Sequence, residues 1–190
     1  MSREGQDTAR SVPATAAAIV DLLNSRAHGI TPAFPDTLES PQTAGKILRP
    51  FGQPEGQQPA PSLIAEVRDL RAALVDIVAA SEPEGTAAGW AQITRWSSSI
   101  TLRQVFAAPG EVGLQQIGGD PVIGGITIAV AELVADGTWR RIRACANETC
   151  AHAFYDTTRS RTQRWHSYEV CGNRNNVAAY RARHKARSTR

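Results

Sequence analysis

The sequence predicts a mainly α chain (α+β): a helical N-terminal domain with a few short strands, then a small C-terminal module of β-hairpin, loop and basic helix. Three observations carry this prediction. Leu63, Val67, Leu70, Leu74 and Ile77 recur at the spacing that lays one apolar stripe along a helix. Beyond Gly137 the grain changes to short elements rich in Arg, Cys and Thr. Charge divides at the same place: from Arg140 onward there are 12 basic side chains against 3 acidic ones, leaving 9 basic and 15 acidic among the first 139 residues. A boundary near Thr138 follows, with units 1–137 and 138–190.

Pro13 opens a helical pattern whose apolar positions Ile19, Val20, Leu22 and Leu23 run out near Gly29. Thr31–Glu39 is Pro-punctuated loop, and Ser40-Pro41 has the form of an N-cap with a first-turn proline, for a short helix to about Leu48. Pro50–Pro61, rich in Pro, Gly and Gln, is a connector. Ser62 is placed to cap the long helix to Ala80, which Pro83 ends. Trp90, Ile93, Ser97 and Ile100 mark a fourth helix, and Leu102–Phe106 and Val112–Ile117 two short strands around Pro109-Gly110. Ile123–Ala135 reads as a buried helix stopped by Asp136-Gly137, although its β-branched residues also allow a strand. In the last unit Arg140–Cys145 and Ala151–Tyr155 flank the first cysteine pair as a hairpin would, Thr157–Arg164 is polar loop, and Asn173–Arg187 is a helix with Val177, Tyr180 and His184 on one face.

Composition excludes several classes. A hydrophobic share of 42% over 190 residues supports a core and rules out a wholly disordered chain. No run reaches the roughly 20 apolar residues that cross a bilayer; the best, Ile123–Ala135, carries Glu132. Met1–Arg10 has no apolar segment of the signal-peptide kind. The expectation is a soluble, cytoplasmic protein without a membrane partner.

Chemistry concentrates near the C-terminus. Cys145, Cys150 and Cys171 fall in one window, and an odd number cannot pair completely. Cys145-x4-Cys150 and His166-x4-Cys171 are equally spaced pairs with 15 residues between them. Zinc takes four soft or borderline ligands at tetrahedral corners, and each short pair can supply two of them from one turn. The expectation is one structural Zn2+ on Cys145, Cys150, His166 and Cys171. Two alternatives stand beside it: structural thiols without metal, and His152 as the fourth ligand. Four donors close the shell, whereas a catalytic zinc keeps an open position. The first 137 residues also lack a nucleotide-binding glycine loop and a paired nucleophile and base, so no enzymatic activity is expected.

Cys171-Gly172-Asn173-Arg174, Phe154-x-Asp156-x-Thr158, the Arg164-Trp165 pair and the closing Tyr180-Arg181-x-Arg183 resemble the CGNR zinc-finger family over Arg143–Arg183. That family usually has a cysteine after the Arg-Trp pair; His166 stands there in this chain, so the resemblance implies a Cys3His site. Upstream, Asp21-Leu22-Leu23-Asn24-Ser25 is similar to the Asp-Phe-Leu-Asn-Thr stretch of the ABATE domain that usually precedes the finger. The resemblance implies a stress-responsive transcription regulator.

Together with the basic tail it leads to a zinc-containing, DNA-binding regulator, the alternative being a protein-interaction module with a purely structural finger. Arg159, Arg161 and Arg164 in the loop, with Arg174, Arg181 and Arg183 on the final helix, are the expected DNA contacts, because guanidinium forks match phosphate and guanine edges. Gly172 is expected to permit a tight turn and Asn173 to cap the last helix, with Trp165 and Tyr168 packed nearby. Asn24 and His28 read as a helix-end cap and a surface histidine. A small-molecule or protein effector, if the body binds one, is expected near Trp90, Trp96 or the ends of the long helix.

Overall fold

A computed structural model describes residues 11–28, 34–80, 82–174, 176–177 and 180–181. Along the chain run α1 (Ala14–Asn24), α2 (Pro41–Leu48), α3 (Pro61–Ala79), α4 (Ala87–Ser97), β1 (Thr101–Ala108), β2 (Glu111–Gly118), α5 (Pro121–Ala135), β3 (Ile142–Ala144) and β4 (Ala153–Tyr155). β1–β2 and β3–β4 are separate antiparallel pairs, so the fold is mainly α with two small sheets. No helix among the described residues is long and apolar enough to cross a membrane.

Helix starts depend on proline more than on hydroxyl caps. α3 begins at Pro61, with Ala60 in the capping position, so Ser62 already lies inside the helix. Proline suits this first position because its missing N–H would be unpaired there anyway. Ser40 does occupy the N-cap of α2, but its hydroxyl donates to Gln42 Oε1 (3.0 Å) instead of capping. α5 has a true cap: the Asp120 carboxylate accepts from the N–H groups of Val122 (2.8 Å) and Ile123 (3.1 Å). α1 stops at Asn24, short of Gly29, which lies outside the described residues.

α5 is the central helix, which resolves the helix-or-strand ambiguity of Ile123–Ala135. Val122, Ile123, Ile126, Ala129, Val130 and Leu133 are all buried, and a helix apolar on most sides belongs inside. Its approach to the 49–51 turn depends on Gly125, where a Cβ would overlap the Phe51 carbonyl. The core joins Ile19, Leu22 and Leu23 of α1, Val67, Leu70 and Leu74 of α3 and Ile126 of α5, and continues into Trp139, Ile142 and Ala153. The C-terminal module therefore packs on the same core as the helical body.

Arg71 carries a charge into the helical part of that core. Arg71 of α3 is 6% exposed and donates to Ser25 Oγ (2.7 Å), Asp36 Oδ1 (3.0 Å) and Asp36 Oδ2 (2.6 Å). Asp36 also caps the short turn 37–39 by accepting from Leu38 N–H (3.0 Å). The ion pair thus ties the loop after α1 to the middle of α3.

Candidate metal centre and basic loop

Two tight turns and a hairpin bring the four expected ligands together. Cys145 follows β3 and donates its N–H to the His152 carbonyl (2.8 Å), extending the β3–β4 ladder. Between the strands Asn147 organises a turn: its side-chain oxygen accepts from Thr149 Oγ1 (2.8 Å), and its carbonyl accepts from Cys150 N–H (2.8 Å). Cys171 lies in a π-helical turn over Tyr168–Gly172, and its N–H donates to the Ser167 carbonyl (3.0 Å). Ser167 also caps that turn, accepting from Val170 N–H (3.2 Å), so Asn173 is not the cap: it is already helical at φ −63°, ψ −42°. Gly172 is required for closeness and not for its turn, since a Cβ there would meet Tyr168 Cδ2 at 2.6 Å.

The ligand atoms of Cys145, Cys150, His166 and Cys171 all lie within 4.8 Å of one another. His166 Nδ1 is 3.4 Å from Cys150 Sγ, and Asn147 Nδ2 donates to Cys171 Sγ (3.4 Å). Burial, followed by a hydrogen bond with Cys171 and the charges of Cys145 and Cys171, pushes the Cys150 thiol up to about 12, although a backbone hydrogen bond at His152 opposes them. Three thiolates this close need a cation, and a bound zinc deprotonates its thiols outright. Donor chemistry and spacing are compatible with one structural zinc ion.

His152 stands outside this cluster and serves a different purpose. Its ring lies 4.5 Å from the His166 ring and 5.2 Å from that of His28, centroid to centroid. Asn24 pairs with the backbone of Ala153 as a strand would, accepting from its N–H (2.8 Å) and donating to its carbonyl (2.9 Å). The Asn24 amide also faces His152 Nε2 (3.2 Å), which makes that nitrogen an acceptor. The remaining tautomers follow: His152 Nδ1–H donates to His28 Nε2 (3.1 Å), and His28 Nδ1–H donates to the Arg26 carbonyl (2.7 Å). Burial first, then the charges of His166, His28 and Arg26, pushes His152 down to about 4, so the ring is neutral near pH 7. Arg26 completes the joint by donating to the Ala151 carbonyl (2.6 Å).

Asn24 and His28 are therefore neither a helix cap nor a surface histidine. They fasten the end of α1 to the edge of β4, beside the ligand His166. Asn24→Ala is expected to leave the Ala153 N–H and carbonyl without partners and to cost about 2 kcal/mol, measured by denaturant unfolding of zinc-loaded protein.

The loop after β4 is built around Asp156, whose side chain is wholly buried. Its carboxylate accepts from Thr158 Oγ1 (2.5 Å), Thr158 N–H (2.9 Å) and Gln163 N–H (3.0 Å), with Arg143 Nη1 at 3.5 Å. Burial would raise this carboxyl, but those hydrogen bonds and the Arg143 charge hold it below its ordinary value. Arg141 is buried and donates to the carbonyls of Asp156 (2.9 Å) and Thr158 (3.0 Å), while Arg143 donates to that of Arg161 (2.9 Å). Arg141 braces the loop from within and Arg143 from a partly exposed position. Arg161 takes φ +56°, a left-handed conformation that an arginine adopts only where its surroundings hold it.

Of the expected DNA contacts, Arg159, Arg161 and Arg164 are exposed on this loop, and Arg174 and Arg181 are exposed beyond Cys171. Arg183, like His184, lies outside the described residues. Trp165 is half-buried, with the Arg164 guanidinium 5.2 Å above its ring and Tyr168 edge-on at 6.0 Å. In the body, Trp90 meets Trp139 edge-on at 5.4 Å, and both Trp90 and Trp96 pack against the core.

Residues 141–184, less than a quarter of the chain, match the family model of the CGNR zinc finger. The match spans all four ligand residues and the braced loop. No curated protein matches the chain.

Proposed function

We propose that this chain is a DNA-binding transcription regulator in which a structural zinc finger presents a basic loop and the segment after Cys171 to duplex phosphate. The observation that carries this reading is the loop around Asp156. A buried carboxylate, the buried Arg141 and the partly exposed Arg143 brace the loop on which Arg159, Arg161 and Arg164 are exposed beside the metal centre. Rigid presentation of guanidinium groups suits contacts to phosphate and guanine. The helical body, ABATE-like by resemblance, would respond to a stress-linked effector or assemble the regulator; neither unit is given a catalytic role, and the site of action is the cytoplasm.

The test is fluorescence anisotropy of a labelled random duplex with zinc-loaded protein across a salt series. About 4–6 phosphate contacts give log K against log salt a slope of about −4 to −5. Arg159→Ala, Arg161→Ala and Arg164→Ala should each flatten the slope by about 1 while zinc content is unchanged. A second reading, a protein-interaction module, draws on the exposure of Tyr168, Val170, Val177 and Tyr180. Absence of binding at low salt by folded, zinc-loaded chain would select it.

A further inference from the structure

We propose that the β1–β2 hairpin is a dimerisation arm whose apolar face docks against the same face of a second copy of this chain. The register sets Leu102 opposite Gln116, Gln104 opposite Leu114 and Phe106 opposite Val112. Directly opposed residues, and every second pair, point to one side of a ladder. Leu102, Phe106, Val112 and Leu114 therefore share a face with Gln104 and Gln116. Those four apolar side chains are 38%, 76%, 60% and 46% exposed. The other face carries Arg103, which donates to Gln115 Oε1 (2.6 Å), together with Val105 and Gly113.

A two-stranded hairpin exposed along its length is at best marginally stable in water, and a contiguous apolar patch on it marks a contact surface. β1 is exposed from end to end, and β2 nearly so. The base of the arm is nonetheless fixed. Gln116 Nε2 donates to the carbonyls of Asp120 (2.8 Å) and Gly118 (3.2 Å), and a Cβ on Gly119 would meet the Ser99 carbonyl at 2.6 Å. The arm is thus held against α5 at its base by Gln116, while Phe106 and Val112 toward its tip stay mostly exposed.

Charge and area select a second copy as the occupant. Arg103 and Glu111 are the only ionisable groups between residues 101 and 118, so the arm is neutral and offers a polyanion nothing. An uncharged apolar face meets its own copy without repulsion, which a two-fold interface requires. The exposed fractions leave about 400 Å² of apolar surface on this face, so two such faces, with the exposed Gln104 of each, bury roughly 1,000 Å². That is the low end for a specific interface and fits a dimer that dissociates on dilution.

Sedimentation of the full, zinc-loaded chain from about 1 to about 200 μM tests this, a range that spans micromolar dissociation constants. The wild-type mass should rise toward twice that of one chain. Phe106→Lys with Leu114→Lys should hold it at one chain throughout, whereas Val105→Lys, on the opposite face, should still dimerise. The milder Phe106→Ser should weaken association at least tenfold, with helical circular dichroism and zinc content unchanged. A wild-type chain that stays monomeric at the top concentration would overturn the proposal. So would a double-lysine variant that associates as the wild type does, or equal loss of dimer in Val105→Lys.

Discussion

Replacing Cys171 with serine is expected to abolish stoichiometric zinc binding and to unfold residues 141–177 while α1–α5 persist. The segment contributes little to the shared cluster: among the described residues beyond Trp139, Ile142 and Ala153 belong to it and Tyr155 packs against it. A metal-free unit of this size seldom buries enough surface to fold, whereas a structural zinc contributes on the order of 10 kcal/mol of apparent binding energy. Serine is a poor zinc donor, and the change also removes the acceptor of the Asn147 amide. Zinc analysis paired with hydrogen exchange resolves both halves of the prediction. Fast exchange should be confined to 141–177 and to the end of α1, whose Asn24 loses its partner on Ala153. Retained zinc and retained protection would remove Cys171 from the ligand set.

Arg71→Met is expected to cost about 3–5 kcal/mol, the usual result of breaking a buried ion pair by deleting one partner. Methionine fills similar volume, so the loss comes from Asp36, which would keep its charge with the bidentate contact gone. Arg68 Nε, 3.5 Å from Asp36 Oδ2 and more exposed, replaces little of it. Denaturant unfolding checks the magnitude, and pH checks the cause. Burial would raise the Asp36 carboxyl, but hydrogen bonds from Arg71 and Leu38 N–H and the charges of Arg71 and Arg68 hold it below its ordinary value. A depressed folded-state pKa contributes stability that is full above the unfolded value of about 3.9 and is lost as pH falls through the folded one. The wild type should therefore lose more stability than Arg71→Met on acidification below about pH 4.

Local patterns were legible in the sequence wherever one element settles its own form. The stripe from Leu63 to Ile77 marked α3, Pro109-Gly110 marked the turn of the β1–β2 hairpin, and the paired ligand spacing marked the residues that converge within 4.8 Å. Caps were misread because serine before a helix is a tendency that proline at the first position makes unnecessary, as at Pro61. Ser167, not Asn173, caps the turn around Cys171 because that turn begins as a π-helix three residues before the cysteine. Arg71 offered a usable signal: it lies four residues after Val67, on the apolar stripe, where a charge must find a partner. That the partner is Asp36, and that Asn24 and His28 seize β4, depends on contacts between distant segments that no local spacing encodes.

Zinc K-edge X-ray absorption on the purified, reduced chain tests the metal centre most directly. One zinc per chain, with three sulfurs at about 2.3 Å and one nitrogen at about 2.0–2.1 Å, is the predicted result. A chain without zinc, or a shell in which oxygen replaces one of the sulfurs or the nitrogen, would contradict the assignment of Cys145, Cys150, His166 and Cys171.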